Sequence, residues 1–178
     1  MEKFAFILHP LSLQDMEHLS PLMRYIPDPI IEACLKMKKP FKVSHITGIK
    51  SPYAEAEGWF IGCPLTAKQM VELPEEFVMD RIIESGKVAQ ELGAKIVGLG
   101  AFTSIVGDAG ITVAKNLDIA VTSGNSYTVA TAIQGTKQAA RMMGKDLKEC
   151  RAVVVGATGS IGAASVRLLA KEVKHITL

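Results

Sequence analysis

The sequence predicts an α/β protein built on a parallel sheet, with a second β-α-β unit opening near its end. Three observations lead there. Short apolar runs alternate with longer stretches of helical periodicity, the arrangement that crossover helices impose on parallel strands. Glycine and proline punctuate most of the junctions between them. The final stretch, "RAVVVGATGSIGAASVRLLAKEVKHITL", gives strand, glycine-rich turn, helix and strand once more.

Each element has its own local reason. Residues 4–8 form a first apolar strand, and Ser12 with Asp15 makes a capping-box-like start for a helix over 13–23. Asp28-Pro29 supplies an N-cap and a first-turn proline for a helix through Lys36. Residues 41–49 and 57–65 are strands expected to pair antiparallel. Pro74-Glu75-Glu76 opens a longer helix, its carboxylates complementing the positive end of the dipole. Phe77, Ile82, Val88 and Leu92 give that helix an apolar face, and Gly93 stops it. "KIVGLG" reads as a buried strand, 111–115 as a helical patch, and "DIAVTSG" as another strand. Residues 126–143 are helical again, with Gly144 ending the helix. The boundary falls in "GKDLKEC", giving an α/β domain over 1–146 and the start of a second over 147–178.

Composition narrows the function classes. Of 178 residues, 48% are hydrophobic and 21% charged, a globular balance. The net charge of +2 is scattered, so no nucleic-acid-binding face is expected. Cys34, Cys63 and Cys150 are dispersed, without metal-ligand spacing, and fit reduced thiols in a cytoplasmic protein with no metal. No run approaches the roughly 18 apolar residues of a membrane span. His9, His18, His45 and His175 stand isolated and read as surface or satisfied structural residues. Cys63 reads as a buried structural cysteine.

Three stretches carry chemistry. In "VVGATGSIG", Gly156, Gly159 and Gly162 follow an apolar strand and precede a helix, a variant of the dinucleotide fingerprint. Gly156 turns the chain, Gly159 lets backbone approach a pyrophosphate, and Gly162 allows close helix packing. Ala157, Thr158, Ser160 and Ile161 complete the turn, whose helix would aim N–H groups at phosphate. The residue that separates NAD from NADP is expected just past the second strand, beyond Leu178. The chain thus reads as the front of a longer protein.

In "GLGAFTSIVGDAG", Thr103 and Ser104 offer hydroxyls where a turn leaves a strand. Such a loop can hold a carboxylate, thioester or phosphate, but spacing alone favours ordinary turn and capping chemistry. In "TSGNSYTVA", Thr122, Ser123, Gly124, Asn125, Ser126 and Thr128 crowd one strand-to-helix turn with more polar groups than capping uses. Ligands of open α/β sheets bind at such turns.

In this order, "LGAFTSI", "TSGNSYT" and "VVGATGSIG" resemble the long-chain acyl-carrier-protein reductases. These are aldehyde-forming enzymes, with relatives labelled shikimate- or amino-acid-dehydrogenase-like. The match runs from Phe4 to Leu178 and covers the front half of a typical member. It departs at Ala101, where the family has glycine.

The resemblance implies a first domain holding an acyl thioester, from acyl-carrier protein or acyl-CoA, and a Rossmann domain bringing NADPH to it. It also implies a cysteine nucleophile, an acyl-enzyme and hydride reduction to a fatty aldehyde. None of Cys34, Cys63 and Cys150 matches the family's cysteine motif, so no catalytic residue is assigned in this chain. Two other readings stand beside this one: a hydroxy-acid or amino-acid dehydrogenase on a related plan, and a non-catalytic nucleotide-binding or assembly module. Pairing with another copy would cover the sheet edge left after "HITL".

Overall fold

The computed structural model describes residues 1–18 and 21–178, the side chains of 16–22 excepted. It divides into two compact units, Met1–Ser123 and Gly124–Leu178.

The first unit is a five-stranded sheet with β1 (Glu2–Leu8) at its centre. On one side lie β3 (Glu55–Gly62) and then β2 (Phe41–Lys50); on the other lie β4 (Ile96–Leu99) and then β5 (Ala120–Thr122). β3, β1, β4 and β5 run parallel, and β2 is an antiparallel edge, as the sequence predicts for that pair. The second strand ends at Gly62 rather than at residue 65. Pro64 follows two residues later and has no N–H for a ladder.

Strand alternation sorts the side chains onto two faces. Ala5 and Ile7 of β1 are in register with Trp59 and Ile61 of β3 and with Val97 and Leu99 of β4, and all six are buried. This face is covered by α3 (Glu75–Glu91), whose buried stripe is Val78, Ile82 and Ala89. Of the face expected from the sequence, Ile82 lies in that stripe, while Phe77, Val88 and Leu92 flank it, half-buried. Each fully buried Ile or Val here stabilises the fold by about 1.5–3 kcal/mol. Val113 of α4 (Ile111–Lys115) and Met70 of α2 (Ala67–Glu72) join the same core.

α2 is not among the helices expected above, although the sequence carries its signal. Thr66 and Gln69 form a capping box: the Gln69 N–H donates to Thr66 Oγ1 at 3.2 Å, and the Thr66 N–H donates to Gln69 Oε1 at 3.1 Å. α1 (Asp28–Met37) begins one residue earlier than read, with Pro27 as N-cap and Asp28 inside the helix. The helix expected over 13–23 is instead two 3₁₀ segments, Leu13–His18 and Pro21–Tyr25, with part of the span outside the described residues. The Asp15 carboxylate does cap that start, accepting the Leu11 and Ser12 N–H groups at 2.8 and 3.0 Å.

The second unit holds α5 (Asn125–Met142), β6 (Arg151–Val153), α6 (Ser160–Leu169) and β7 (His175–Thr177). β6 and β7 pair in parallel across α6, the β-α-β arrangement that the sequence predicts. Val129 and Ile133 of α5 bury against Leu169 of α6, and Lys137 pairs with Glu172. These contacts draw α5 into the second unit, so the sequence-based boundary at 146/147 lies inside it. Among the described residues, no helix is long and apolar enough to cross a membrane.

Candidate functional site: a glycine-rich turn and a sheet edge

In the second unit the three glycines of the fingerprint have three different reasons. Gly156 has φ +74°, which favours glycine. A Cβ on Gly162 would collide with the Gly156 carbonyl oxygen and lie 3.0 Å from Ala157 Cα. That glycine is therefore needed by the turn's own backbone, a closer partner than the sheet expected from sequence. Gly159 is extended, and a Cβ there would meet only the Gly156 oxygen at 3.4 Å. Its lack of a side chain is not required for the fold.

α6 starts at Ser160 with Gly159 as N-cap, and α5 starts at Asn125 with Gly124, at φ +73°, as N-cap. Among the described residues no side chain caps either helix, and neither has an acidic residue in its first turn. The Asn125 Nδ2 donates to Ser160 Oγ at 2.8 Å, so the two helix starts lie side by side. Two of the sequence's polar motifs thus meet. The first N–H groups of each helix have no intrahelical acceptor, and each macrodipole places partial positive charge there. Such an arrangement attracts an anion. Thr158, Ser160 and Ser126 are exposed beside it, Ala157 and Ile161 are half-buried, and the Thr128 hydroxyl donates back to the Gly124 carbonyl at 3.1 Å.

In the first unit, Gly98 of β4 is in register with Thr122 of β5, so the turns after both strands leave at the carboxyl edge, the second through Ser123. The turn after β4 is closed on itself. Buried Thr103 donates its hydroxyl to the Gly100 carbonyl at 2.7 Å, and Ser104 donates to the Ala101 carbonyl at 2.7 Å. The alternative of ordinary turn chemistry therefore accounts for both hydroxyls. Ala101 and Ala109 have φ +48° and +59°, in the left-handed region. The departure from the acyl-carrier-protein reductase pattern at Ala101 falls on a backbone position that favours glycine. The Asp108 carboxylate accepts the Thr112 N–H at 2.9 Å and its hydroxyl at 2.7 Å, and these bonds hold its pKa below the usual carboxylate range.

His9, which the sequence leaves isolated, binds this turn to the end of β1. Its Nε2 accepts the Phe102 N–H at 3.1 Å, which assigns the proton to Nδ1, donating to the Pro10 carbonyl at 3.0 Å. Nothing in the spacing marks a partner 93 residues away. On the other side of β1, a cavity of about 250 Å³ opens among Leu8, Leu35, Phe41, Val43, Gly62 and Cys63. Burial pushes the Cys63 thiol up to about 11, against smaller opposing effects from Ser85 and Arg81, so it stays protonated near neutral pH. His45 stacks on Trp59 and contacts Glu57 at 3.0 Å. The His18 side chain lies outside the described residues.

No family model matches the chain. It is 34% identical over 128 residues to the aminotransferase PigE of Serratia sp. (strain ATCC 39006), covering 72% of this chain and 14% of that protein. It is 26% identical over 183 residues to the long-chain acyl-[acyl-carrier-protein] reductase of Synechococcus elongatus, covering 93% of this chain and 51% of that protein. The chain therefore spans about half the length of one curated relative and a small part of the other. An aspartate racemase homologue from Pyrococcus horikoshii OT3 overlays 99% of the chain and 64% of its own, with TM-score 0.42 and 16% identity. That overlay is too loose to bear on function.

Proposed function

We propose that this chain is the N-terminal part of an NADP-dependent oxidoreductase that reduces a long-chain acyl thioester, carried by acyl-carrier protein or coenzyme A, to a fatty aldehyde. The observation that carries the reading is the pair of uncapped helix starts joined by Asn125 and Ser160, beside a turn in which Gly162 has no room for a Cβ and Gly156 takes a φ that favours glycine. Likeness along 93% of the chain to a long-chain acyl-[acyl-carrier-protein] reductase supports the substrate class.

In this reading the first unit holds the acyl substrate and the second begins the nucleotide domain. NADPH supplies the hydride when bound. The N–H groups of Ser160, Ile161 and Gly162 hold its pyrophosphate, and Asn125 fixes the orientation of Ser160. No residue of this chain is assigned as the nucleophile, and buried, protonated Cys63 does not serve as one.

The test is Gly159→Val in the full-length protein. The new side chain meets little of the fold, so the melting temperature should hold while NADP(H) affinity falls at least tenfold, about 1.4 kcal/mol. A folded variant with unchanged cofactor affinity would leave the turn as a packing device and remove the support for an oxidoreductase.

A further inference from the structure

We infer that His9 is a proton-sensitive latch: its neutral imidazole holds the turn after β4 in a strained shape, and protonation releases that turn. The latch needs neither cofactor nor substrate, so it is independent of the acyl-thioester reading above. His9 lies just past the end of β1, the central strand, and Phe102 lies just past the end of β4, its neighbour. Pro10 biases the backbone of His9 towards an extended conformation, which continues the line of β1.

The turn runs from Gly100 through a short 3₁₀ segment, Ala101–Ser104, whose N-cap makes no side-chain hydrogen bond. The Phe102 N–H lies at the start of that segment, where the segment itself offers no acceptor. His9 Nε2 fills that place at 3.1 Å. The Gly100 N–H donates to the Ile7 carbonyl, also at 3.1 Å, so the turn is fastened to β1 and its extension at both Gly100 and Phe102. Other bonds are internal: the Thr103 and Ser104 hydroxyls return to the Gly100 and Ala101 carbonyls, and the Ile105 and Val106 N–H groups share the Phe102 carbonyl. Between the two fastenings stands Ala101, at φ +48°. A left-handed alanine persists only where its surroundings over-determine it. Once one fastening is lost, the turn has a relaxed alternative.

The chemistry of imidazole makes the second fastening conditional. Nδ1 donates to the Pro10 carbonyl at 3.0 Å, which leaves Nε2 with the lone pair that Phe102 requires. An imidazolium carries N–H on both nitrogens and has no acceptor. Protonation therefore sets two donors against each other across the same 3.1 Å. Imidazole is also the side chain whose charge ordinarily changes between about pH 5 and 8. The two rings meet edge to face with centroids 5.9 Å apart, so a shift of His9 passes to Phe102, which packs against the core. Asp15 and Lys38 line the same cavity as His9, beside the buried thiol of Cys63. Asp15 accepts the Leu11 and Ser12 N–H groups, and Lys38 lies over the Phe41 ring. The turn has no titratable side chain from Gly100 to Val106, and Asp108 beyond it is bonded to Thr112. Among the described residues no carboxylate bonds to His9, so an imidazolium gains no partner by staying in place. Ligands of open α/β sheets bind at the carboxyl edge where this turn stands, so the latch links pH to the shape of that edge.

The experiment follows the 178-residue chain by NMR from about pH 8 down to about pH 5, reading the His9 ring nitrogens and the hydrogen-exchange protection of the Phe102 and Val97 amides. At the upper limit Nδ1 should carry the ring proton. As the ring titrates, Phe102 protection should fall about tenfold, the scale of one lost hydrogen bond, while Val97 in β4 keeps its protection. In His9→Gln, whose side-chain carbonyl can accept the same N–H and does not titrate, Phe102 protection should stay level across the range. In His9→Ala it should be low throughout. Melting temperatures identify a variant that fails to fold, and the wild-type titration with the remaining variant then decides. A ring proton on Nε2 at the upper limit, or a ring that stays neutral to the lower one, overturns the latch. So does a ring that titrates with Phe102 unmoved, a loss that Val97 shares, or a pH-dependent fall that folded His9→Gln reproduces.

Discussion

Ala101 and Asp108 show how single residues define the turn after β4. Alanine in the left-handed region costs about 1–2 kcal/mol, while glycine gives back about 0.4–1 kcal/mol through the unfolded chain. Ala101→Gly should therefore stabilise the protein by about 0.5–1 kcal/mol, and Ala101→Val should destabilise it, as thermal denaturation will read. The opposite order would mean that φ at this position is not left-handed. Asp108 has its pKa depressed by its bonds to Thr112, so its contribution is fully present above the ordinary carboxylate pKa and is lost as pH falls through the lower folded value. The stability gap between wild type and Asp108→Ala should be level near neutral pH and close in acid, below about pH 4. A gap that widens in acid would contradict the bonding described. Both features are local, yet neither is written in the residue types alone: alanine does not announce a positive φ.

Among the elements, α5 and α6 matter most, because each begins without a side-chain cap or an acidic first turn. With Gly124 and Gly159 as N-caps, such a start gives up only roughly a few tenths of a kcal/mol against a side-chain cap, and it leaves the first N–H groups open to a ligand. Asn125→Ala removes its bond to Ser160 at the junction and should weaken NADP(H) binding severalfold in the full-length protein, with little change in melting temperature. Thr103→Val is the contrasting case. Its buried hydroxyl is bonded to the Gly100 carbonyl, so the variant should lose about 0.5–1.5 kcal/mol of stability with cofactor affinity intact. If Asn125→Ala proved merely destabilising and Thr103→Val affected binding, the roles of the two turns would be reversed.

The whole molecule separates into a sheet unit and a β-α-β unit, and the sheet unit places the turn after β4, the exit of β5 through Ser123 and an apolar cavity at the carboxyl ends of its parallel strands. Incubated with NADPH and palmitoyl-CoA, the 178-residue chain should release no aldehyde, since its most buried thiol is held protonated and none matches a nucleophile's motif. Turnover abolished by Cys63→Ser would refute this.

The sequence by itself determined the order of strands and helices, the antiparallel pairing of β2 with β3, and the glycine-rich β-α-β turn. These follow from period, capping and glycine placement, which act over a few residues. It also carried α2 in the Thr66–Gln69 box, a signal short enough to be overlooked beside Pro74. Only the tertiary structure decided that α5 belongs with α6, because the choice rests on which apolar residues Val129 and Ile133 find, not on their own spacing. The same is true of His9 meeting Phe102, of Asn125 meeting Ser160, and of Phe4 and Phe6 lying over glycines of neighbouring strands. Such contacts join residues far apart in the chain, and burial and sheet register, summed over the fold, select them.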